Sequence, residues 1–279
     1  MPGWLVVALL AAAPTGAARD RCGRALAFIS YVSGDYGSAV GPRGEVLSPE
    51  ELREQAEFTK EATAELRACG AADLADAAAE LLRRIELRSA PAEVIRTAET
   101  LAARVGQRFH LARVPPEPPD VARGRVLYRR ACAACHGAVG NPPSPEQLPL
   151  TTRPTAFALK DDVARLSPQR IFSAATYGVP GTAMPSFGDA LPERELWDVA
   201  FYALTLARRD ERERTRGRDL LRTAPRVPDY LQLAVRSDDQ LRAALLRTGL
   251  SAADREAVLS ALRAALTPRA PAPAPTARR

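Results

Sequence analysis

Four successive segments between residues 22 and 112 repeat apolar side chains every three to four residues, and this repetition restricts the fold more than any other feature. The recurring residues are Ala25, Leu26, Ile29 and Val32, then Leu52, Ala56, Thr59, Thr63 and Leu66, then Leu74, Ala78, Leu81, Leu82 and Ile85, and finally Val94, Ala98, Leu101 and Val105. This period is typical of amphipathic α-helices. Pro49 and Pro91 stand where the first turn of a helix tolerates proline. Because short loops make consecutive helices antiparallel, the segment predicts a four-helix bundle.

The chain continues as two further helical units. The sequence VPPEPP at residues 114–119 predicts a stiff linker, and a second unit runs from there to about residue 209. In the segment that follows, Ser237 with Gln240 and Ser251 with Asp254 have the spacing of helix-capping pairs. We therefore expect an all-α protein with a small helical segment at its C-terminal end.

Both ends of the chain differ in composition from the helical units. An apolar run from Trp4 to Ala13, followed by small residues before Arg19, predicts a secretory signal peptide, since the run is too short to span a bilayer. Cys22 lacks the small apolar neighbours of a lipoprotein cysteine. The end, TPRAPAPAPTARR, predicts a disordered tail. The expected organisation is signal peptide 1–18, helical bundle 19–113, linker 114–119, second unit 120–209, small helical segment 210–266 and tail 267–279.

Charge and hydropathy exclude two classes of protein. The formal net charge is +6 and comes mainly from arginine, but the sequence contains no basic block with interleaved aromatic residues of the kind that binds nucleic acid. No apolar run of 18 residues follows the predicted signal peptide, so the mature chain has no predicted transmembrane segment. We expect an exported protein in the periplasm, either soluble or peripheral to the membrane.

The most informative short motif lies in ACAACHGAVG, where Cys132, Cys135 and His136 form the pattern C-x-x-C-H. Two thiols at this spacing can add to the vinyl groups of one haem, while the adjacent imidazole ligates the iron. A structural zinc site would need four ligands, and the only other candidates, His110, Cys22 and Cys69, precede the linker. A thioredoxin-like redox pair would need a surrounding βαβ pattern. The motif therefore predicts one covalently attached haem c.

A second axial ligand for this haem follows from a count of the methionines. The chain contains two, and Met1 belongs to the predicted signal peptide, so Met184 is the thioether that remains. It lies in YGVPGTAMPSFG, where Gly178, Gly181 and Pro185 can shape a turn that presents a side chain to the haem. The alternative, a methionine that fills a gap in the core, fits poorly with such a polar loop.

The helices on either side of these motifs complete the second unit. DVARGRVLYRRA leads into the cysteine motif, and ERELWDVAFYALTL closes the unit with an apolar face of Leu196, Val199, Ala200, Ala203 and Leu206. Gly124 allows the two helices to cross closely. The aromatic residues Tyr128, Trp197 and Tyr202 are expected either as core packing or as contacts to the haem edge.

With these features, residues 120–209 resemble the class I cytochromes c. The chain also resembles, from about residue 22 to 266, the cytochrome c region fused to bacterial iron permeases of the FTR1 family, which has a similar YGVPGTAMPSF loop, LWDVAFY helix and preceding helical domain. The permease itself is absent from this sequence. The resemblance implies an electron carrier with His136 and Met184 as iron ligands, and a redox partner protein that is a separately encoded FTR1-type permease or another iron-uptake component. Two alternatives stay open: an electron-transfer subunit of another periplasmic oxidoreductase, and a periplasmic iron-binding protein with an accessory haem.

Two expectations concern the bundle. Cys22 at the start of the first helix and Cys69 at the end of the second should lie side by side in an antiparallel pair, and exported thiols oxidise readily, so a disulfide is expected.

One face of the second helix carries five glutamates, Glu50, Glu54, Glu57, Glu61 and Glu65. Glu54, Glu57 and Glu61 are candidate iron ligands, with Asp35 and Tyr36 nearby, since hard cations favour oxygen. A solvated helix face is the preferred interpretation.

Overall fold

The computed structural model describes residues 16–179, 182–224 and 227–264. Within these ranges the protein is helical without β-strands, and a single antiparallel bridge pairs Val40 with Val46. Most of the predicted signal peptide, Gly181 of the methionine loop and the predicted C-terminal tail lie outside the described residues. Among the helices that are described, none combines the length and the apolar composition needed to cross a bilayer.

The first four helices form the predicted bundle. They are α1 (Gly16–Ala39), α2 (Pro49–Ala68), α3 (Ala72–Glu86) and α4 (Pro91–Phe109). Pro49 and Pro91 occupy first-turn positions, and the Ser48 side chain accepts a hydrogen bond from the Glu51 amide to cap α2. Helix α1 packs against both α2 and α4, and α3 closes the bundle between them. Most of the periodic apolar residues of the four helices meet in one buried cluster. Leu82 is only partly buried and lies outside this cluster, so the spacing along the sequence predicts most of the core.

A disulfide joins the first two helices. Cys22 in α1 is fully buried and is bonded to Cys69, the residue that follows α2, with 6.0 Å between their Cα atoms. The link therefore holds the beginning of α1 against the end of α2, as an antiparallel pair allows. Closing a loop of 47 residues removes freedom from the unfolded chain and contributes roughly 3–4 kcal/mol to stability.

The second unit contains five helices, of which the first and last cross closely. They are α5 (Val121–Ala131), α6 (Ala133–His136), α7 (Lys160–Val163), α8 (Pro168–Tyr177) and α9 (Glu193–Thr205). At the crossing of α5 and α9, a Cβ atom built on Gly124 would lie 2.1 Å from the carbonyl oxygen of Asp198. Only glycine permits this approach, which confirms the role expected for Gly124. The Asp198 side chain is buried and accepts hydrogen bonds from the Asp120 amide and Arg123.

The C-terminal helices share their core with the second unit. They are α10 (Glu211–Arg222), α11 (Tyr230–Val235), α12 (Asp238–Leu245), a 3-10 turn (Leu246–Thr248) and α13 (Ala252–Ala264). Both predicted capping pairs are present, and Ser237 with Gln240 forms a complete capping box. Apolar residues of α11, α12 and α13 join the same buried cluster as Trp197 and Phe201 of α9. Helix α9 is therefore buried on all sides over residues 196–205, which is more than the single apolar face predicted from its sequence.

A buried ion network fastens these C-terminal helices to the end of α9. Asp238 is fully buried, and its two carboxylate oxygens accept from Arg208 Nη2 at 2.6 Å and from Arg263 Nε at 2.8 Å. Both guanidinium groups are themselves almost completely buried, and this burial lowers the pKa of Arg263. Asp238 is therefore shared by two cations that have left water, and Arg208 has a second carboxylate partner in Glu256, at 3.2 Å.

We expect Asp238→Asn to lower the free energy of unfolding by about 3–5 kcal/mol, because it removes the carboxylate that two buried guanidinium groups share and leaves Arg263 without its ion-pair partner. Asp219→Asn is the matched control, since Asp219 is exposed and pairs only with the exposed Arg222, and it should leave stability unchanged. Urea unfolding followed by circular dichroism measures both variants. Equal midpoints for the two variants would contradict the structural role of the network.

Candidate functional site

The two cysteines of the C-x-x-C-H motif lie on one short helical turn. Cys132 is the cap residue between α5 and α6, and α6 ends at His136. The amides of Cys135 and His136 both donate to the Cys132 carbonyl, at 3.2 and 2.9 Å. Residues three apart in a helix share a face, so both thiols point to the same side. Both cysteines are unbonded and partly exposed.

The environment of His136 prepares one ring nitrogen to bind a metal. The residue is 9% exposed, and its Nδ1 lies 3.1 Å from the Thr155 carbonyl oxygen. A carbonyl can only accept, so Nδ1 carries the proton and Nε2 keeps its lone pair. Burial lowers the pKa of His136, although the Thr155 contact opposes this effect. The imidazole is therefore neutral at pH 7, which is the form that ligates metals.

Aromatic packing supports the motif from behind. The buried Tyr128 hydroxyl donates to the Gly137 carbonyl at 3.1 Å, and its ring meets Tyr202 edge-on with 5.3 Å between centroids. Trp197 stacks on Phe172 with 4.1 Å between centroids. Neither tyrosine nor Trp197 is among the described residues that line the cavity of the site. The packing interpretation of these aromatic residues is therefore the one that the structure supports.

Hydrogen bonds within its own loop hold Met184 in place. The Val179 amide donates to the Met184 carbonyl at 3.2 Å, and the Thr182 hydroxyl accepts from the Met184 amide at 3.2 Å while it donates to the Val179 carbonyl at 2.7 Å. Gly178 adopts φ +74°, and a Cβ atom there would lie 3.0 Å from the Met184 carbonyl oxygen. The loop thus needs glycine at its start to close tightly on itself.

The motif and the methionine loop face each other across one cavity. Its walls include Cys132, Cys135, His136 and Met184 together with Ala131, Leu150, Thr152, Arg153, Pro154, Thr155, Val179, Thr182, Ala183, Pro185 and Phe187. Two thiols could attach a haem covalently, and one imidazole and one thioether could ligate its iron. Most of the remaining wall is apolar. The residues present therefore fit a haem c.

The raised pKa of the Cys132 thiol argues against a thioredoxin-like pair. Burial, followed by the neighbouring Cys135, raises the pKa of Cys132 to about 11. Redox-active C-x-x-C pairs depend on the opposite shift, because the thiolate is the nucleophile. The zinc alternative fails as well, since Cys22 and Cys69 are disulfide-bonded and His110 is not part of the cavity wall.

The glutamate face of α2 does not form a metal cluster. Among the described residues, no group of three or more His, Cys, Asp or Glu side chains is placed to hold a metal ion. Glu54 accepts from the Tyr31 hydroxyl, Glu57 pairs with Lys60, and Glu61 is exposed. This arrangement is that of a solvated helix face with local partners.

Asp35 and Tyr36 have roles other than the one expected from sequence. Asp35 binds Arg170 of α8, and the Tyr36 hydroxyl donates to the Ser89 carbonyl at 3.1 Å. Burial, Glu51 and the Asp35 carboxylate raise the pKa of Glu54. Asp35 therefore does lie near the glutamate face, although its hydrogen bonds go to Arg170. The sequence contained no signal for the pair between Asp35 and Arg170. It also contained none for the Thr155 carbonyl that orients His136, because any residue can supply a main-chain acceptor.

Comparisons with known proteins place the site in a family. A protein-family model described as cytochrome C oxidase, cbb3-type, subunit III, matches residues 119–202. The chain is similar to cytochrome c6 of Bumilleriopsis filiformis, with 33% identity over 88 residues that cover 31% of this chain and 91% of the relative. Cytochromes c6 of Pyropia tenera and Alaria esculenta are 31% and 32% identical over the same length and are covered to 92% and 91%. No solved structure matches at a comparable level of significance.

We expect Gly137→Ala to disrupt the site, because Gly137 has φ +76° and a Cβ atom there would lie 1.8 Å from the Asn141 carbonyl oxygen. Gly70→Ala is the matched control, since Gly70 has φ +81° with nothing within 4 Å of the added atom. The control should lose about 1–2 kcal/mol of stability from the left-handed backbone alone, and Gly137→Ala clearly more. Urea unfolding and haem content per chain measure the difference. Equal losses would show that the turn after His136 tolerates a side chain.

Proposed function

The chain belongs to the cytochrome c family, and from this premise we propose that it is an exported mono-haem carrier whose haem c is bound by Cys132, Cys135, His136 and Met184. Members of this family are electron-transfer haem proteins rather than enzymes, and they bind haem c covalently. One observation carries the assignment of ligands: the two thiols, the imidazole and the thioether line a single cavity. The disulfide in the bundle supports export, because such bonds persist in oxidising compartments.

Each of the four residues has a distinct task in this proposal. When bound, the haem supplies a one-electron Fe(III)/Fe(II) couple. The Cys132 and Cys135 thiols would hold the haem by adding across its two vinyl groups, each S–H ending as a C–S and a C–H bond. His136 holds its proton at Nδ1 against the Thr155 carbonyl and offers Nε2. Met184 would be the second protein ligand of the iron, which would leave no open site for oxygen and so favour electron transfer.

Substitution of Met184 tests the carrier proposal, because the mature chain has no second methionine. Met184→Ala should keep its haem through acid-acetone extraction, since the thioethers remain, but should lose the sulfur-to-iron band in the far red. It should also bind carbon monoxide roughly tenfold more tightly or better, because no ligand must first dissociate. Met184→His should restore a low-spin spectrum at a lower potential.

Two results would contradict the assignment. Haem lost on extraction from correctly exported parent protein would exclude covalent attachment. A parent that lacks the far-red band and binds carbon monoxide readily would exclude Met184 as a ligand.

We further propose that the electrons serve iron uptake through a separately encoded FTR1-type permease. The support is the resemblance to permease-fused proteins, which extends beyond the cytochrome region into the bundle and the C-terminal helices. A second candidate is an electron-transfer subunit of another oxidoreductase. The match of residues 119–202 to a family described as an oxidase subunit favours this alternative.

A deletion of the gene in its native host, complemented with either parent or Met184→Ala, separates the two roles. For iron uptake, the deletion and the Met184→Ala strain should both take up radiolabelled ferrous or ferric iron several-fold more slowly, with oxygen consumption unchanged. Complementation with Asp219→Asn, an exposed substitution, is the control. Slower oxygen consumption with normal iron uptake would support the oxidase subunit, and no change in either would overturn both candidates.

A further inference from the structure

Helix α8 belongs to the second unit, residues 120–209, which we now call the cytochrome unit. It lies along α1 of the N-terminal bundle and is held at its first turn by a buried ion pair. Arg170 donates from Nη1 and Nη2 to the two carboxylate oxygens of Asp35, at 2.9 and 2.8 Å. Both side chains are nearly buried, with 12% and 5% exposed. The guanidinium group also stacks over the Tyr31 ring, 4.3 Å from its centroid. A bidentate, stacked and desolvated pair of this kind permits little variation in geometry.

The other end of α8 packs against the same bundle helix, at a position where α1 has a glycine. Tyr177, the last residue of α8, packs its ring against α1 at Gly23. A Cβ atom on Gly23 would lie 2.2 Å from Cζ of that ring. Burial raises the pKa of Tyr177 to about 12, in keeping with an enclosed hydroxyl. Helix α1 thus holds α8 at both of its ends.

The last turn of α8 is in turn fastened to the methionine loop. The Thr176 carbonyl accepts from the Ser186 hydroxyl at 2.6 Å and from the Gly188 amide at 3.2 Å. The Ala175 carbonyl accepts from the Phe187 amide at 2.9 Å. These hydrogen bonds fix the loop within four residues after Met184. On the N-terminal side, the close approach of Gly178 to the Met184 carbonyl fixes it as well. A shift of the end of α8 would therefore also displace Met184.

We propose that the N-terminal bundle positions the sixth ligand: through Arg170 and Tyr177 it holds α8, and through α8 it holds Met184 on the iron. This inference rests on the proposed function, since it takes Met184 as the axial ligand. A thioether is an uncharged, weak ligand, so the bond depends on how often the loop brings the sulfur to the metal. Immobilising the loop raises the fraction of time for which the sulfur lies where it can bind the metal, before any bond forms. Arg170 and Tyr177 are positioning residues, and the bundle is the rigid support that they bind.

The affinity of the ferric protein for added imidazole measures the fraction of time for which Met184 is off the iron. Imidazole binds only the open form, so its apparent dissociation constant falls in proportion as that form becomes more populated. Gly23→Ala drives the added methyl group into the Tyr177 ring. Gly37→Ala is the matched control on the same helix, because a Cβ atom there has nothing within 4 Å. Both substitutions make the same change of residue within α1.

We expect Gly23→Ala to bind imidazole roughly tenfold more tightly than the parent, a change of about 1.4 kcal/mol in the Met184 equilibrium. Its far-red band should weaken and its potential should fall. Gly37→Ala should match the parent in all three measurements. In a Met184→Ala background, Gly23→Ala should have no effect on imidazole binding, because no methionine remains to be displaced.

Arg170→Lys provides a second, independent arm that decides the question if Gly23→Ala fails to fold. Lysine retains the charge but loses the bidentate and stacked geometry, so imidazole should again bind more tightly. Arg194→Lys is its control, since Arg194 forms an exposed pair with Glu117. A parent without the far-red band would overturn the proposed function itself. A parent with the band, and with imidazole affinity unchanged in both Gly23→Ala and Arg170→Lys, would overturn only the positioning role.

Discussion

Burial of α9 on all sides is the constraint on which the rest of the cytochrome unit depends. On one side, the backbone of α9 at Asp198 meets Gly124 of α5, the helix that leads into the cysteine motif. On another side, Trp197 stacks on Phe172 of α8, the helix that leads into the methionine loop. The two halves of the site are thus both held against one helix. Because no face of α9 is free, neither half can shift without opening the core.

Buried ion pairs define how helices meet, both within and between the units. Three buried carboxylates, Asp35, Asp198 and Asp238, each bind an arginine from a different helix. Burial raises the pKa of Asp198, and the Arg123 contact opposes this change. Buried ion pairs add little stability compared with apolar packing, but a misaligned pair leaves a charge without water or partner. Such pairs therefore penalise alternative arrangements of the helices more than they strengthen the observed one.

Local features of the sequence account for much of this architecture. The bundle helices, their proline starts and the two capping pairs follow from residues close in sequence, and the close crossing at Gly124 follows from the absence of a side chain. The single apolar face predicted for α9 was incomplete, because α8 and α13 also pack against it, and α13 is distant from it in sequence. Asp35 was assigned to a possible metal site for the same reason: its partner lies 135 residues away.

By itself, the sequence determined the chemistry of the site and the class of the fold. The spacing of Cys132, Cys135 and His136, the presence of Met184 as the one methionine besides Met1, and the helical periods are local or countable properties, and they need no tertiary information. Only the tertiary structure decided which carbonyl orients His136, that the C-terminal helices share the core of α9, and that α1 holds α8 at both ends. These contacts join residues that no periodicity relates. They arise from the shapes and charges that meet when the helices pack, so they become visible only once the chain is folded.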